Sequence, residues 1–204
     1  MADNYLERKM EEHRSGAPRK SVHKVASLGC RPGMWEVPFA ERRVVVAGNG
    51  SDLDVMMVEQ LRSVGCKVAF MGGGKKDGNE LACRTGAQFH PTKYDDGEGL
   101  MRSVALVCRA WGDIDVVICT VEHLPVPLIE AWNNYRNDKP YPNSYGGRII
   151  AVNGAELPEK KVLEALKAHG IEPVEVRADE PADAVAAAMM AMVYRFRVCL
   201  LLTL

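Results

Sequence analysis

The chain lacks a dominant charge: 26 lysine and arginine residues stand against 27 aspartate and glutamate residues, a formal net charge of −1. No global attraction to nucleic acid or to an anionic membrane follows from that balance, and neither partner is expected. Its cysteines, Cys30, Cys66, Cys83, Cys108, Cys119 and Cys199, include no C-x-x-C pair. No histidine and cysteine form a recognisable metal-ligand set either, so no metal centre is expected. Reduced, buried thiols in a cytoplasmic protein fit this usage. The opening residues M-A-D-N-Y-L-E-R-K-M-E-E-H carry no apolar run of the kind a secretory signal has. The most apolar stretch, Ala184 to Leu204, is interrupted by Arg195 and Arg197. That excludes a membrane span and leaves a buried helix, or a helix plus a strand. Internal repeats and low-complexity segments are also missing.

What is present is enough apolar sequence for one core. With 204 residues, 47% of them hydrophobic, the chain fits a single domain with a tail. Residues 1–40 form that tail: a charged helix is expected from Asn4 to Arg14, followed by S-G-A-P-R-K and R-P-G. Such an arm builds no core alone. Its apolar Met34, Trp35, Val37 and Phe39 favour packing on a neighbouring subunit. A homodimer or larger oligomer held by the arm and the C-terminal helix is therefore expected.

From Arg43 onward, apolar runs of strand length alternate with helix-like stretches, the rhythm of βα units and a parallel sheet. Strands are predicted at Arg43–Ala47, Lys67–Met71, Ala87–His90, Ile114–Thr120, Arg148–Val152 and Pro173–Val176. Helices are predicted at Asp52–Val64, Asn79–Thr85, Glu98–Trp111, Pro127–Tyr135, Pro158–Ala168 and Pro181–Tyr194. Gly65 and Gly170 punctuate helix ends, and Pro158 and Pro181 sit near helix starts. Six strands in this rhythm predict an α/β fold: a doubly wound, Rossmann-like parallel sheet of order 3-2-1-4-5-6 over residues 41–204, preceded by the arm.

The segment V-V-V-A-G-N-G-S-D-L-D, Val44 to Asp54, is a β-branched run entering a Gly-x-Gly turn and then a helix. A Rossmann domain begins this way, with the helix N-terminus aimed at a pyrophosphate. Three further segments follow in order: G-A-Q-F-H-P-T-K-Y-D-D, W-G-D-I-D-V-V-I-C-T-V-E and G-G-R-I-I-A-V-N-G-A. Together they resemble the short-chain dehydrogenase/reductase superfamily from about Arg43 to Arg177. The four segments correspond to that family's T-G-x-x-x-G-x-G turn, its third strand and following aspartate, its G-x-I-D-x-x-x-N-N-A-G and its G-x-I-x-x-x-S-S.

The resemblance implies a nicotinamide-dinucleotide site, and the departures from it fall on functional positions. Gly48 is kept, while Asp52 and Asp54 replace the second and third glycines of the turn. A carboxylate facing a pyrophosphate is unfavourable, since charges about 4 Å apart interact by roughly 4 kcal/mol at an intermediate dielectric. At a helix start the same aspartates are favourable through capping and the dipole, and their side chains are placed to fill the anion site.

At the end of the second strand no acid awaits a ribose; Phe70 and Met71 are followed by Gly72, Gly73, Gly74, Lys75 and Lys76. NADP is thus preferred over NAD if either binds, and a solvated basic turn is the other reading of the lysines. Lys93 stands in place of the adenine-side aspartate, and Cys119-Thr120-Val121-Glu122 replaces N-N-A-G. Asn153 and Gly154 stand where the family has its serines. No tyrosine lies between Gly146 and Val193, so the Y-x-x-x-K pair that handles the proton in this family is missing.

No catalytic residue is assigned on this basis. Gly48, Asn49, Gly50, Ser51, Lys75, Thr120 and Asn153 are the candidates for holding a cofactor, which is either NADP or none. The leading expectation is a non-catalytic binding or assembly protein. The alternative is an NADP-binding oxidoreductase with new chemistry at Thr120, Glu122, His123 and Asn153. Glu122/His123 as an acid–base pair and Cys119 as a nucleophile are weighed against loop residues and a small buried hydrophobe. The amide- and aromatic-rich stretch Trp132 to Gly147 suits subunit contacts or an ordinary polar loop. Met189, Met190 and Met192 read as core or interface filler.

Overall fold

The computed structural model describes residues 39–123, 125–138, 147–155, 160–168 and 170–193. The predicted arm before Phe39, the 139–146 part of the polar stretch, Pro158, Arg195, Arg197 and the terminal V-C-L-L-L-T-L lie outside those residues. Six strands are present: β1 Arg43–Ala47, β2 Lys67–Met71, β3 Gln88–His90, β4 Val116–Cys119, β5 Gly147–Val152 and β6 Ile171–Val176. They form one all-parallel sheet in the order β3-β2-β1-β4-β5-β6, as the βα rhythm predicts. The helices are α1 Asp52–Ser63, α2 Lys75–Thr85, α3 Gly97–Trp111, α4 Val126–Asp138, α5 Lys160–Ala168 and α6 Pro181–Ala191. Among the described residues no helix is long and apolar enough to cross a membrane.

Parallel strands buried on both faces read as continuous apolar runs, and β1 (R-V-V-V-A) and β4 (V-V-I-C) are of that kind. Their side chains alternate between two cores. Val44 and Val46 face Met57, Val58 and Leu61 of α1, Leu81 of α2 and Val185 of α6. Val45 and Ala47 face Leu100 and Val104 of α3, Leu128 and Trp132 of α4 and Leu166 of α5. Helices thus cover both faces, the double winding that opens a crevice at the carboxyl ends of β1 and β4.

The largest boundary difference is at a helix start, and β4 is shorter than predicted, Val116–Cys119 and not Ile114–Thr120. α2 starts at Lys75, not Asn79, because Gly74 takes an extended N-cap conformation and Gly78 is accommodated inside the helix. The ring of Phe89 lies where a Gly78 Cβ would be, so this mid-helix glycine meets a packing need and does not break the helix. Lys75 and Lys76 are consequently exposed residues of a helical first turn. β6 begins two residues early, at Ile171. The bonds Gly147 N to Gly170 O (3.0 Å) and Asn153 N to Val176 O (2.9 Å) turn its even-numbered residues toward β5. Pro173 therefore presents its missing N–H to the far side, where a strand at the edge of the described sheet tolerates proline.

The foot of the sheet is held by charged groups. Arg43 meets Asp115 through Nε (3.0 Å) and Nη2 (2.6 Å), and its Nη1 donates to Trp111 O. Asp113 Oδ1 accepts from Trp132 Nε1 (3.1 Å) and Arg136 Nε (3.3 Å), and its other oxygen lies 3.1 Å from Arg136 Nη2. Arg42 and Arg148 donate to Met192 O and Ala191 O at the C-terminus of α6, where unpaired carbonyls and the helix dipole favour cations. Removing one partner of a buried ion pair leaves the other uncompensated. Asp113→Ala is expected to destabilise the fold by on the order of 3 kcal/mol, read from urea unfolding, because Arg136 and the Trp132 indole N–H lose a shared acceptor. A loss below about 1 kcal/mol would show the cluster to be no better than a surface pair.

Candidate functional site

Ser51 begins α1 as its N-cap, and the acid three residues on, Asp54, closes a capping box. The Asp54 side chain points into the protein and is fully buried. Its Oδ2 accepts from Gly50 N (2.8 Å), Ser51 N (2.9 Å) and Ser51 Oγ (3.0 Å), and its Oδ1 accepts from the Thr120 hydroxyl. Two amides of the turn, the groups that receive an anion at such a helix start, therefore point at a carboxylate of the same chain. Gly48 is obligatory beside it, since a Cβ at that position would overlap the Asp54 carboxylate. Asp52 is exposed in the first helical turn.

The structure brings five of the seven candidate residues together around Asp54. Gly48, Gly50 and Ser51 form the turn itself. Asn49 accepts from Ser51 N through Oδ1 at 3.0 Å. Thr120 reaches across from the end of β4, with its amide bonded to Ala47 O at 3.0 Å. Lys75 belongs to the adjoining β2–α2 turn, whose Gly73 would bring a Cβ to 3.4 Å from Gly50 Cα. Asn153 stands apart, after β5. It adopts a left-handed backbone conformation (φ 51°) and its Oδ1 accepts from Ala178 N at 2.9 Å, so its amide carbonyl ties the β5 and β6 loops together.

Cys119 is fully buried at the end of β4, and burial pushes its thiol up to about 12. A protonated thiol is no nucleophile at neutral pH. Burial likewise raises Cys66 and Cys108 to about 12, while Cys83 is exposed on α2. Glu122 and His123 are both exposed in the loop after β4. Among the described residues no cluster of histidine, cysteine and acidic groups could hold a metal ion. Tyr94, which lies within the quoted G-A-Q-F-H-P-T-K-Y-D-D segment but is not singled out by it, enters the site from the loop after β3 and places its hydroxyl 2.8 Å from Gly48 O and 2.7 Å from Met71 O. The run Gly72-Gly73-Gly74 signals a crowded backbone there, but nothing in the sequence says which side chain crowds it.

These features define a doubly wound domain with dinucleotide-binding architecture and an internally occupied first turn. Its fold is similar to that of several solved short-chain dehydrogenases/reductases. A metagenomic short-chain oxidoreductase solved in complex with NADP superposes with a TM-score of 0.59 at 16% identity, over 76% of this chain and 92% of that one. A citronellol catabolism dehydrogenase of Pseudomonas aeruginosa superposes with a TM-score of 0.60 at 13% identity, over 80% and 90%. A short-chain dehydrogenase from Streptomyces avermitilis gives 0.60 at 13% identity, over 78% and 86%. The likeness is one of fold. No protein-family model matches the chain.

Two measurements check this geometry. Gly48→Ala is expected to cost about 1–3 kcal/mol by overpacking, and most of that cost is expected to vanish in an Asp54→Gly background; equal costs in both backgrounds would separate the two residues. His90, at the end of β3, has a buried Nε2 with no hydrogen-bond partner among the described residues, and burial holds its pKa below the usual value. The unfolded chain therefore binds this proton first as pH falls, so the His90 contribution is complete above about pH 6.5 and is lost below it. Urea midpoints compared at pH 7.5 and 5.5 are expected to fall more for wild type than for His90→Gln; equal falls would remove His90 as a cause.

Proposed function

We propose that this chain is a Rossmann-fold protein of short-chain dehydrogenase/reductase architecture whose pyrophosphate turn is silenced by Asp54, and that it works as a non-catalytic binding or assembly protein. The observation that carries the reading is the pair of turn amides, Gly50 N and Ser51 N, donated to the buried Asp54 carboxylate. The exposed Asp52 adds a like charge where a phosphate would approach. Without a tyrosine between residues 146 and 193, carbonyl–hydride exchange would have no proton donor of the family's kind. A homo-oligomer in the cytoplasm is part of the same reading, motivated by Met34, Trp35 and Val37 of the N-terminal arm; Phe39, expected to join them, is instead buried in this chain's own core beside Val44, Leu61 and Cys66.

A second reading is an NADP-dependent oxidoreductase. In its favour are the NADP held by a protein of like fold and the paired Lys75 and Lys76 at the start of α2. Gly48, Asn49, Gly50 and Ser51 would then meet the pyrophosphate, with Lys75, Thr120 and Asn153 further along the crevice.

Calorimetric titration with NADPH and NADH separates the two. Wild type is expected to bind neither at micromolar concentration, while Asp52→Gly/Asp54→Gly is expected to gain NADPH binding of at least tenfold. Micromolar NADPH binding by wild type would overturn the silenced-turn reading in favour of the oxidoreductase.

A further inference from the structure

Asp54 accounts for the pyrophosphate turn alone; the carboxyl end of β2 lies beside that turn, with Ala47 paired to Met71. In a Rossmann domain the pyrophosphate lies at the first helix N-terminus, and the adenosine ribose is met near the end of the second strand. The adenosine half of the crevice thus lies on the β2 side of the β1–α1 turn. Tyr94 is seated there, with its hydroxyl against Met71 O at the end of β2 and Gly48 O just past β1. Its ring leaves no space at Gly72, where a Cβ would stand 2.5 Å from the hydroxyl oxygen and 3.0 Å from Cζ. Beside it the two glycine turns touch, a Cβ at Gly50 falling 3.6 Å from Gly73 Cα.

We propose that Tyr94 is a self-ligand: its phenol ring takes the place of a flat ring such as a purine and latches the adenosine half of the crevice closed. The proposal rests on the reading that the crevice is closed to dinucleotides, and it adds a second, partial closure beside that of Asp54, so the NADPH binding gained by Asp52→Gly/Asp54→Gly is expected to rise further when Tyr94→Leu is added. The single hydroxyl proton lies between two carbonyl oxygens that a ring amine would otherwise meet. Met71 O already accepts from Gly48 N at 3.1 Å, whereas Tyr94 is the only donor that the described residues offer to Gly48 O. Burial, with Cys119 and Asp54 nearby, holds the phenol well above its usual pKa, so it remains a donor throughout the neutral range. Opening the crevice means swinging residues 91–96 away, and Asp96 opposes this by capping α3 through Gly99 N at 2.9 Å.

Adenosine tests the latch, because it carries no phosphate and makes no demand on the Asp54 turn. Wild type, Tyr94→Ala and Tyr94→Leu are titrated with adenosine by calorimetry, and folding is checked by circular dichroism. Tyr94→Ala is expected to bind adenosine at least tenfold more tightly than wild type and to gain thermal stability with it. Tyr94→Leu keeps apolar packing but drops the hydroxyl and part of the ring volume, so the same gain is expected from it and decides the matter if the alanine variant does not fold. A folded variant that gains no adenosine binding, or a wild type that binds adenosine equally well, would overturn the latch. Failure here is separable from failure of the silenced turn: the former appears with adenosine on the Tyr94 variants, the latter with NADPH on wild type.

Discussion

A carboxylate taken wholly out of water must be met by donors, and the crevice is arranged around meeting that need for Asp54. Burying an ionised group without compensation costs more than a small domain can absorb. Here two backbone N–H groups and two hydroxyls converge on its two oxygens, bonds of the stronger, charge-assisted kind. Each donor fixes something else. Serving from Gly50 and Ser51 sets the turn, with Gly50 at a φ of 91° that favours glycine. Serving from Thr120 requires a hydroxyl at the end of β4. The bulk of the carboxylate forbids a side chain at Gly48. One residue therefore ties β1, α1 and β4 together at the point where the strand order reverses.

The two ends of the sheet solve opposite problems. At the foot, charges are paired with charges: Arg43 with Asp115 and Arg136 with Asp113, while Arg42 and Arg148 sit at the carbonyl end of α6. These contacts hold strands and helices in register. At the carboxyl ends the backbone itself must come close, and glycines at 48, 72 and 73 permit it. Polar tips from three elements, Asp54 of α1, Thr120 after β4 and Tyr94 before α3, then fill the space between the turns. A doubly wound sheet opens a crevice there by topology alone; side chains decide whether it stays open.

The architecture is legible because it rests on patterns that local sequence carries. Apolar runs of strand length, capped helix starts and the spacing between them predict β1 and β2 to the residue, and the strand order with them. β4 is shorter than predicted, and at α2 and β6 boundaries differ where glycine or proline has a tertiary reason. Gly78 sits inside α2 to pass the Phe89 ring, and Pro173 sits inside β6 because its nitrogen faces away from β5. The site is legible in part. That Asp52 and Asp54 act at the helix start follows from capping and the dipole, but not that they part, one exposed and one fully buried. Direction depends on the donor Thr120, 66 residues away. Tyr94 is invisible for the same reason: its partners are backbone carbonyls 46 and 23 residues earlier, and backbone partners leave no side-chain signature.

The energetic weight of the Asp54 arrangement can be set against what a ligand would bring. A phosphate arriving at the turn would compete for the N–H groups of Gly50 and Ser51. If both turned outward, Asp54 would stay buried with Thr120 and Ser51 Oγ alone. Stranding a buried charge in this way costs about 3–5 kcal/mol. Micromolar binding corresponds to about 8 kcal/mol, so the remainder would be about 3–5 kcal/mol, within roughly tenfold of millimolar. The third turn position thus does more than alter shape. An aspartate there puts an anion of the protein's own in contact with the amides that would receive a foreign one, and on the silenced-turn reading a dinucleotide would have to displace it before gaining anything from the fold.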